Sequence, residues 1–299
     1  MTAQVLRYAA FTVDGQGGNP AGLVLDATGL DATRMQAIAA DVGYSETAFL
    51  VPRPVESNVY DVRYFSPKGE VPFCGHATIA AAVALAERSS GAERIFHTPA
   101  GFVSITTLQN DGGEIVAELT SVAPRVSEPD PDLVRGVLRA LRWSAEDLDP
   151  DYPVRLANAG SEHLVLVTKT RKRLADLDYD FHALAKLMRD HGLVTVQLVW
   201  PESKKRYHSR NPFAGSGVVE DPATGASAAA LGGYLRELGM IGGTASFTIT
   251  QGVDMGRPSE INVSVIEGEP GVRVSGSAHR LDTFVEMERL AGPTLPAES

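Results

Sequence analysis

The chain of 299 residues carries 27 basic and 37 acidic side chains, which gives a formal net charge of −10, and it contains one cysteine. At about 100–200 residues per domain, this length favours two domains or one large one. A single cysteine excludes a disulfide framework and a cysteine-rich zinc site, while the acidic balance argues against binding to nucleic acids or anionic membranes. The first residues of the sequence lack the pattern of a secretory signal, and no apolar stretch is long enough to cross a membrane. We therefore expect a cytoplasmic protein.

The predicted strands are short β-branched runs bounded by Gly, Pro, Asn and Asp. In chain order they are Gly22–Leu25, Ala48–Val51, Tyr60–Phe65, Arg94–Thr98, Phe102–Thr107, Glu114–Leu119, His163–Val167, Thr195–Val199, Ser246–Thr250 and Ile261–Val265. Three surface helices are predicted at Asp31–Val42, Asp132–Leu141 and Phe181–Asp190. Two further helices begin near His76 and Ala226, and we expect them to be buried because they are apolar nearly all round.

The two apolar helices belong to an internal repeat with an offset of 150 residues. Glu70–Glu87 and Glu220–Glu237 share six identities in 18 positions, including a Glu-x-Pro-x-x-Gly frame that does not depend on alanine. The repeat predicts two copies of one supersecondary unit, each a curved sheet around a buried Ala-rich helix. Two unrelated Ala-rich helices are the alternative. The corresponding domains are 1–121 and 122–299, with the C-terminal tail from about residue 277 to 299 packing onto the first half.

Pseudo-twofold symmetry between such halves would direct the N-termini of both buried helices into one cleft. Each helix start carries backbone N–H groups without an intrahelical partner and the positive end of the helix dipole. Two such starts together form a receptor for a small carboxylate, or for an enolate that develops during a reaction. We therefore expect a small anionic metabolite to bind between the halves.

Five motifs in chain order carry a resemblance to a known family. They are Gly18–Ala21, Ser45–Phe49, Phe65–Pro67 with Glu70, Phe73–Thr78, and Gly217–Gly225. Together they resemble the phenazine-biosynthesis isomerase (PhzF-like) family, within the diaminopimelate epimerase superfamily, from about residue 5 to about residue 280. The resemblance implies an α+β fold of two similar halves, each a barrel-like sheet around a central helix, with the active site between them. It also implies a homodimer and a reaction without a cofactor.

The same resemblance assigns three residues to catalysis. Glu46 matches the family's catalytic glutamate, which removes a proton from one carbon and returns it to another; an ordinary surface glutamate at a strand start is the alternative. His76 matches the active-site histidine at the start of the first buried helix, where the dipole lowers the pKa of the imidazole and favours its neutral form. Asp221 matches the acidic residue of the mirror-related turn, where it orients substrate, shares a proton with His76 or caps the helix.

Substrate binding is assigned to Asn19, Gly75, Gly225, Ala226 and Ser227, with backbone amides at the two helix starts holding an anion. One of these positions departs from the family, whose members often carry a substrate-contacting serine where this chain has Ala226. Ser227 follows, but a shift of one position rotates a helical side chain by about 100°. This departure argues against assigning the family's phenazine-precursor substrate to this chain, and it argues less strongly against the site itself.

Two other kinds of chemistry are excluded or disfavoured by the sequence. Racemases of the superfamily use two facing cysteines, but the residue 150 positions after Cys74 is Thr224, and the chain has no second thiol. Cys74 is therefore interpreted as a small buried hydrophobic residue. No two of the seven histidines form a His-x-His or His-x-x-x-His pair, so no metal site is predicted.

These observations predict a cofactor-independent isomerase that moves a proton on a small carboxylated metabolite, with Glu46 as acid and base. A small-metabolite-binding protein of the same fold, with little or no catalysis, is the alternative that Ala226 suggests. Arg210 and Phe213, which precede the motif of the second half, are weaker candidates for the wall of the cleft.

Overall fold

The computed structural model describes residues 3–56, 58–110 and 112–281, which form 17 β-strands in one continuous sheet system and six α-helices. The strands are β1 (Leu6–Ala10), β2 (Asn19–Val24), β3 (Glu46–Pro52), β4 (Val59–Ser66), β5 (Gly69–Val71), β6 (Glu93–Thr98), β7 (Gly101–Gln109), β8 (Ile115–Thr120), β9 (Arg125–Ser127), β10 (Arg155–Asn158), β11 (Glu162–Val167), β12 (Thr195–Ser203), β13 (Arg206–Phe213), β14 (Val218–Asp221), β15 (Ala245–Gln251), β16 (Ser259–Val265) and β17 (Arg273–Arg280). The helices are α1 (Ala32–Val42), α2 (Gly75–Ala86), α3 (Pro131–Ala140), α4 (Arg171–Ala175), α5 (Phe181–Asp190) and α6 (Gly225–Glu237).

All of the predicted strands and helices are present. Each predicted strand overlaps an observed one, and α1, α3 and α5 match the three predicted surface helices to within one residue at either end. The two apolar helices begin at Gly75 and Gly225, one residue earlier than predicted. Several strands were not predicted, among them the short strands β5 and β9 and the polar strand β13. The polar strand β13 carries Ser209 and Asn211 on its buried face, so it lacks the apolar alternation by which strands are recognised.

The first half is a closed barrel of eight strands around α2. The strands follow the order β1, β2, β3, β4, β6, β7, β8 and β17, and β17 closes the ring by pairing with both β8 and β1. Helix α2 fills the interior, and every residue from His76 to Leu85 is buried. The interior of an eight-stranded barrel holds little more than side chains. A helix fits there because its side chains are small, and five of these ten residues are alanine.

The second half repeats this strand order around α6, but in the described residues its end strands β9 and β17 do not pair to close a ring. Strands β10, β11, β12, β13, β15, β16 and β17 follow one another as β1, β2, β3, β4, β6, β7 and β8 do, and β9 pairs with β10. In each series the second and third strands are parallel, and so are the fourth and fifth. The buried helix of each half connects its fourth strand to its fifth. The α+β fold of two pseudo-symmetric halves is therefore confirmed.

Strand β17 belongs to both halves. It runs antiparallel to β16 of the second half and to β8 and β1 of the first. Its register places Ala278 opposite Ala10 and Arg280 opposite Tyr8. The described part of the predicted tail, up to residue 281, thus lies against the first half, whereas residues 282–299 lie outside the described residues. The division at residue 121 stays a prediction.

Three further helices cover the outer faces of the sheets. Helix α1 packs on the first barrel through Met35 and Ala39, and α3 and α5 pack on the second half through Val137 and Met188. Each helix exposes its polar face, as the amphipathic patterns predict. No helix in the described ranges is long and apolar enough to cross a membrane.

Replacing Gly233 by alanine in α6 is expected to lower the free energy of unfolding. The added Cβ would lie 2.3 Å from Cβ of Pro124, whose ring cannot rotate away, and overpacking of this kind costs about 1–3 kcal/mol. The better helix propensity of alanine returns only about 1 kcal/mol. Gly136→Ala in α3 is the matched control, because its Cβ would meet only the flexible end of Leu187 at 3.2 Å. Urea denaturation compares the two; equal stabilities would contradict the overlap.

Candidate active site

The two buried helices start beside each other, at the junction of the halves. Each follows an extended residue, Cys74 before α2 and Thr224 before α6. Neither of these residues makes a side-chain capping hydrogen bond to the backbone N–H groups of the first turn. Gly75, Gly225 and Ala226 are only half-buried, so the first turns of both helices reach towards the surface at this place. The arrangement presents two positive helix ends to one region, as the repeat predicts.

Glu46, Cys74 and His76 bring three reactive side chains together in the first half. Glu46 begins β3, and the other two flank the start of α2. Nε2 of His76 lies 3.5 Å from Oε2 of Glu46, and the Cys74 thiol donates to the same oxygen at 3.6 Å. Cys74 and His76 are buried, whereas the Glu46 side chain keeps 14% of its surface exposed. The carboxylate is therefore accessible at the edge of a shielded cluster.

Asn19 joins this cluster to the second half. Its Nδ2 atom donates to Oδ1 of Asp221 at 2.7 Å and to the carbonyl oxygen of Ala223 at 3.0 Å, and it lies 3.3 Å from Nδ1 of His76. Asn19 is almost completely buried at the first residue of β2. A single amide thus sets the spacing between the histidine of one half and the aspartate of the other.

Asp221 lies in a buried polar pocket at the start of α6. Its Oδ2 atom accepts from the Thr224 hydroxyl at 2.5 Å, and Nε2 of Gln251 donates to its backbone carbonyl at 2.6 Å. Burial raises the pKa of Asp221 to about 7, and the charge of Glu46 contributes in the same direction, while the Thr224 and Asn19 hydrogen bonds lower it. Near neutral pH this carboxyl group can therefore hold or release a proton.

The surroundings of His76 favour the neutral form of its imidazole. Burial lowers its pKa, and the nearby Arg257 guanidinium of the second half acts in the same direction. The Glu46 carboxylate and a hydrogen bond to the backbone of Pro20 act against this. The lowered pKa agrees with the expectation from the sequence, but the main cause of the shift is burial rather than the helix dipole.

The structure thus brings Asn19, Glu46, His76 and Asp221 into one connected group, with Gly75 directly before the histidine. Ser227 is not part of this connected group. Its side chain is completely buried, and its hydroxyl donates to the carbonyl oxygen of Thr224 at 3.0 Å. The Ser227 hydroxyl is therefore used inside its own helix.

Three residues at the site were not predicted. Ser45 places its hydroxyl oxygen 3.4 Å from Nε2 of His76, and Gln251 supports Asp221. Arg257 donates from Nη2 to the carbonyl oxygen of Gly18 at 3.0 Å and so binds the second half to the first. Ser45 stands within a quoted motif and could have been found from it. Gln251 and Arg257 carry no local signal, because only the fold brings them to this place.

The two glutamates that the repeat aligns, Glu70 and Glu220, each form an ion pair with an arginine. In the first half, Arg63 of β4 donates from Nε and Nη2 to Glu70 at 2.7 and 2.6 Å. In the second half, Arg210 of β13 makes the same two bonds to Glu220 at 2.9 and 2.5 Å. Each ion pair links the two strands of the hairpin that precedes a buried helix, β4 and β5 before α2 and β13 and β14 before α6. Arg210, a weaker candidate for the cleft wall, is therefore engaged in an ion pair.

Asp221→Asn is expected to change how stability depends on pH. Because burial raises the pKa of this carboxyl group from 3.8 to about 7, the unfolded chain ionises it at lower pH than the folded chain. Asp221 therefore costs the folded protein stability progressively as the pH rises through that interval, and by a constant amount above it. Urea denaturation at stepped pH should show the wild type losing stability relative to Asp221→Asn between these values. A difference that does not vary with pH would contradict the shift.

The chain is similar to known proteins over most of its length. A family model described as phenazine biosynthesis-like protein matches residues 8–282. An uncharacterized isomerase of Bacillus subtilis is 31% identical over 294 residues, which cover 95% of this chain and 98% of the relative. A trans-2,3-dihydro-3-hydroxyanthranilate isomerase of Pseudomonas chlororaphis is 30% identical over 242 residues, or 81% of this chain and 83% of the relative. The crystal structure of a PhzF-family phenazine biosynthesis protein of Bacillus anthracis matches with a TM-score of 0.85 and 25% identity, over 94% of this chain and 98% of that one.

The fold of two pseudo-symmetric halves and these relatives define the class of protein as an isomerase. The matches extend over nearly the whole length of the chain, so they concern both halves. The chain belongs to the phenazine biosynthesis-like (PhzF) family, as the five motifs predicted.

Proposed function

We propose that this protein is a cofactor-independent isomerase that moves a proton between two carbons of a small carboxylated metabolite. The observation that supports this most is the convergence of Glu46, His76 and Asp221 at the starts of the two buried helices. A reaction that only relocates a proton needs a base that can return what it has taken, and positive groups that stabilise the anion formed between the two steps.

Glu46 is the proton carrier in this mechanism. Its carboxylate is the exposed member of the cluster, so it takes a proton from a substrate carbon and holds it as a carboxylic acid. The electron pair of the broken C–H bond moves into the conjugated system of the substrate. Glu46 then returns the proton to a different carbon, so no proton or electron is gained or lost overall. General acid–base catalysis of this kind contributes about 10²–10⁴-fold to a rate.

The other residues bind and orient the substrate. The amide groups at Gly75, Gly225 and Ala226 bind the carboxylate and stabilise the negative charge that develops on it. The neutral imidazole of His76 offers a hydrogen bond without competing with Glu46 for the proton. Asp221, which Asn19 holds next to His76, orients the substrate from the second half.

For the substrate we propose a chemical class, a small carboxylic acid, and not a particular compound. The relative from Pseudomonas chlororaphis is named for trans-2,3-dihydro-3-hydroxyanthranilate, which is a cyclic carboxylic acid and a suitable first compound to test. Ala226 offers no hydroxyl group for such a ligand, and the Ser227 hydroxyl is turned into its helix. We therefore propose a carboxylated substrate that makes one hydrogen bond fewer at this position. The homodimer and the cytoplasmic location stay predictions.

Isotope exchange tests this function even while the product is unidentified. The protein is incubated in D₂O with trans-2,3-dihydro-3-hydroxyanthranilate and a panel of small unsaturated carboxylic acids, and each mixture is followed by NMR. We expect deuterium to enter a carbon position of at least one compound at a rate proportional to protein concentration. Compounds that raise the melting temperature but exchange no proton would support a binding protein instead and would overturn the proposal.

A further inference from the structure

Glu46, Cys74 and His76 provide one oxygen, one sulfur and one nitrogen donor at the start of α2, and we refer to them as the Glu–Cys–His cluster. Oε2 of Glu46 lies 3.6 Å from Sγ of Cys74 and 3.5 Å from Nε2 of His76. Sγ lies 3.8 Å from Nε2 and 3.4 Å from Nδ1 of the same imidazole, so the sulfur is beside the ring. Within the described ranges, no other group of three His, Cys, Asp or Glu side chains brings its donor atoms within 4.8 Å of one another.

These distances are close to those between the ligands of a tetrahedral metal ion. With Zn–S bonds of about 2.3 Å and Zn–N and Zn–O bonds of about 2.0–2.2 Å, the donor atoms of a tetrahedral zinc site lie roughly 3.3–3.7 Å apart. The three separations among Oε2, Sγ and Nε2 differ from this range by a tenth of an ångström or less. Because Sγ lies closer to Nδ1 than to Nε2, the imidazole must turn about its Cβ–Cγ bond before the Nε2 lone pair faces an ion shared with Cys74. We propose that the Glu–Cys–His cluster binds a zinc ion, with Glu46, Cys74 and His76 as three ligands and water or an anion as the fourth.

The donor types favour zinc over harder cations. Thiolate and imidazole ligands select zinc and similar soft ions, whereas magnesium and calcium require oxygen ligands. On binding, the Cys74 thiol gives its proton to the solvent, and its sulfur forms the bond to the metal. Sequence spacing does not predict this site, because β3 supplies Glu46 from a different part of the barrel.

Zinc bound here would inhibit the enzyme, and this consequence rests on the proposed function. The ion would occupy Oε2 of Glu46 and Nε2 of His76, so the carboxylate could no longer carry a proton between two carbons. Zinc bound at this site would therefore inhibit the isomerase reversibly and would take no part in its reaction.

Cobalt(II) is the spectroscopic probe for the site, and it is titrated into the full chain in the reduced state. Cys74 is the only cysteine of the chain, so a thiolate-to-cobalt charge-transfer band can arise from this residue alone. We expect that band, together with the intense visible bands of tetrahedral cobalt, and we expect zinc to displace both. In calorimetry, Cys74→Ala should bind zinc at least about 100-fold more weakly, since even changes around metal ligands cost roughly 10–100-fold. His182→Ala, which removes an exposed histidine of α5, should bind zinc as the wild type does.

Each outcome decides a separate point. A wild type without the charge-transfer band at saturating cobalt, or a folded Cys74→Ala variant with unchanged zinc affinity, overturns the metal site. If Cys74→Ala does not fold by circular dichroism, the wild-type cobalt spectrum alone decides. Isotope exchange is measured in chelator and again at saturating zinc. Exchange that persists with zinc bound overturns the inhibition, whereas a cluster that binds zinc in a protein without exchange activity overturns only the proposed function.

Discussion

A Glu46→Gln variant is expected to lose roughly 10²–10⁴-fold in the rate of proton exchange while keeping the stability of the wild type. Glutamine has nearly the same shape and can still interact with Cys74 and His76, but its amide group cannot take a proton from carbon. The loss should therefore appear in kcat rather than in the affinity for the ligand. Deuterium incorporation from D₂O, measured by NMR with any compound that the wild type exchanges, gives the ratio of the two rates.

Glu128→Gln is the matched control for this experiment. The Glu128 side chain is 82% exposed and faces Arg155 at 3.5 Å, so the same chemical change occurs there outside the site. We expect wild-type exchange from this variant and unchanged ligand-induced melting shifts from both. If Glu46→Gln exchanges protons at the wild-type rate, Glu46 is not the base.

Arg210→Met is expected to destabilise the protein by about 3–5 kcal/mol, because it leaves the Glu220 carboxylate buried without its partner. The Arg210 and Glu220 side chains are 11% and 4% exposed, so water cannot replace the lost hydrogen bonds. Methionine preserves most of the volume of the arginine stem, which keeps the cavity contribution small. Chemical denaturation should show a lower transition midpoint with an unchanged slope.

The pseudo-symmetric pair of the first half supplies the control. Arg63 and Glu70 make the same two hydrogen bonds, but their side chains are 38% and 34% exposed. Arg63 also lies 5.0 Å from the centre of the Phe65 ring. Loss of an exposed ion pair and of this cation–π contact should cost about 1–2 kcal/mol in Arg63→Met. Equal losses in the two variants would show that burial does not govern the strength of these pairs.

The two halves share a fold, but the second half has no carboxylate at the position that corresponds to Glu46. Glu46 lies opposite Ala21 in the parallel pair β2–β3, and Thr195 lies opposite His163 in the corresponding pair β11–β12, so Thr195 is the counterpart of Glu46. The Thr195 hydroxyl donates to Asn211 at 2.9 Å and lies 2.8 Å from Nδ1 of His163. Burial lowers the pKa of His163 to about 3, so this imidazole is neutral at ordinary pH. A buried polar network thus occupies, in the second half, the position that Glu46 has in the first.

Much of the fold could be predicted from local patterns. Asp31 accepts from the amide of Arg34 at the start of α1, as expected of a helix-capping aspartate. The 150-residue repeat predicted two buried helices, and both are enclosed by curved sheets. Local patterns could not predict that β17 closes the first barrel, because strand alternation records which face of a strand is buried but not which strands pair.

The sequence by itself determined the family, the two-half architecture and the candidates Asn19, Glu46, His76 and Asp221, because these depend on motifs and on periodicity. Only the tertiary structure decided which of these side chains meet. It placed Cys74 against Glu46, directed the Ser227 hydroxyl into its own helix and supplied Gln251 and Arg257 from distant strands and loops. Distances between atoms far apart in the chain follow from strand register and helix packing, and no local pattern of residues encodes them.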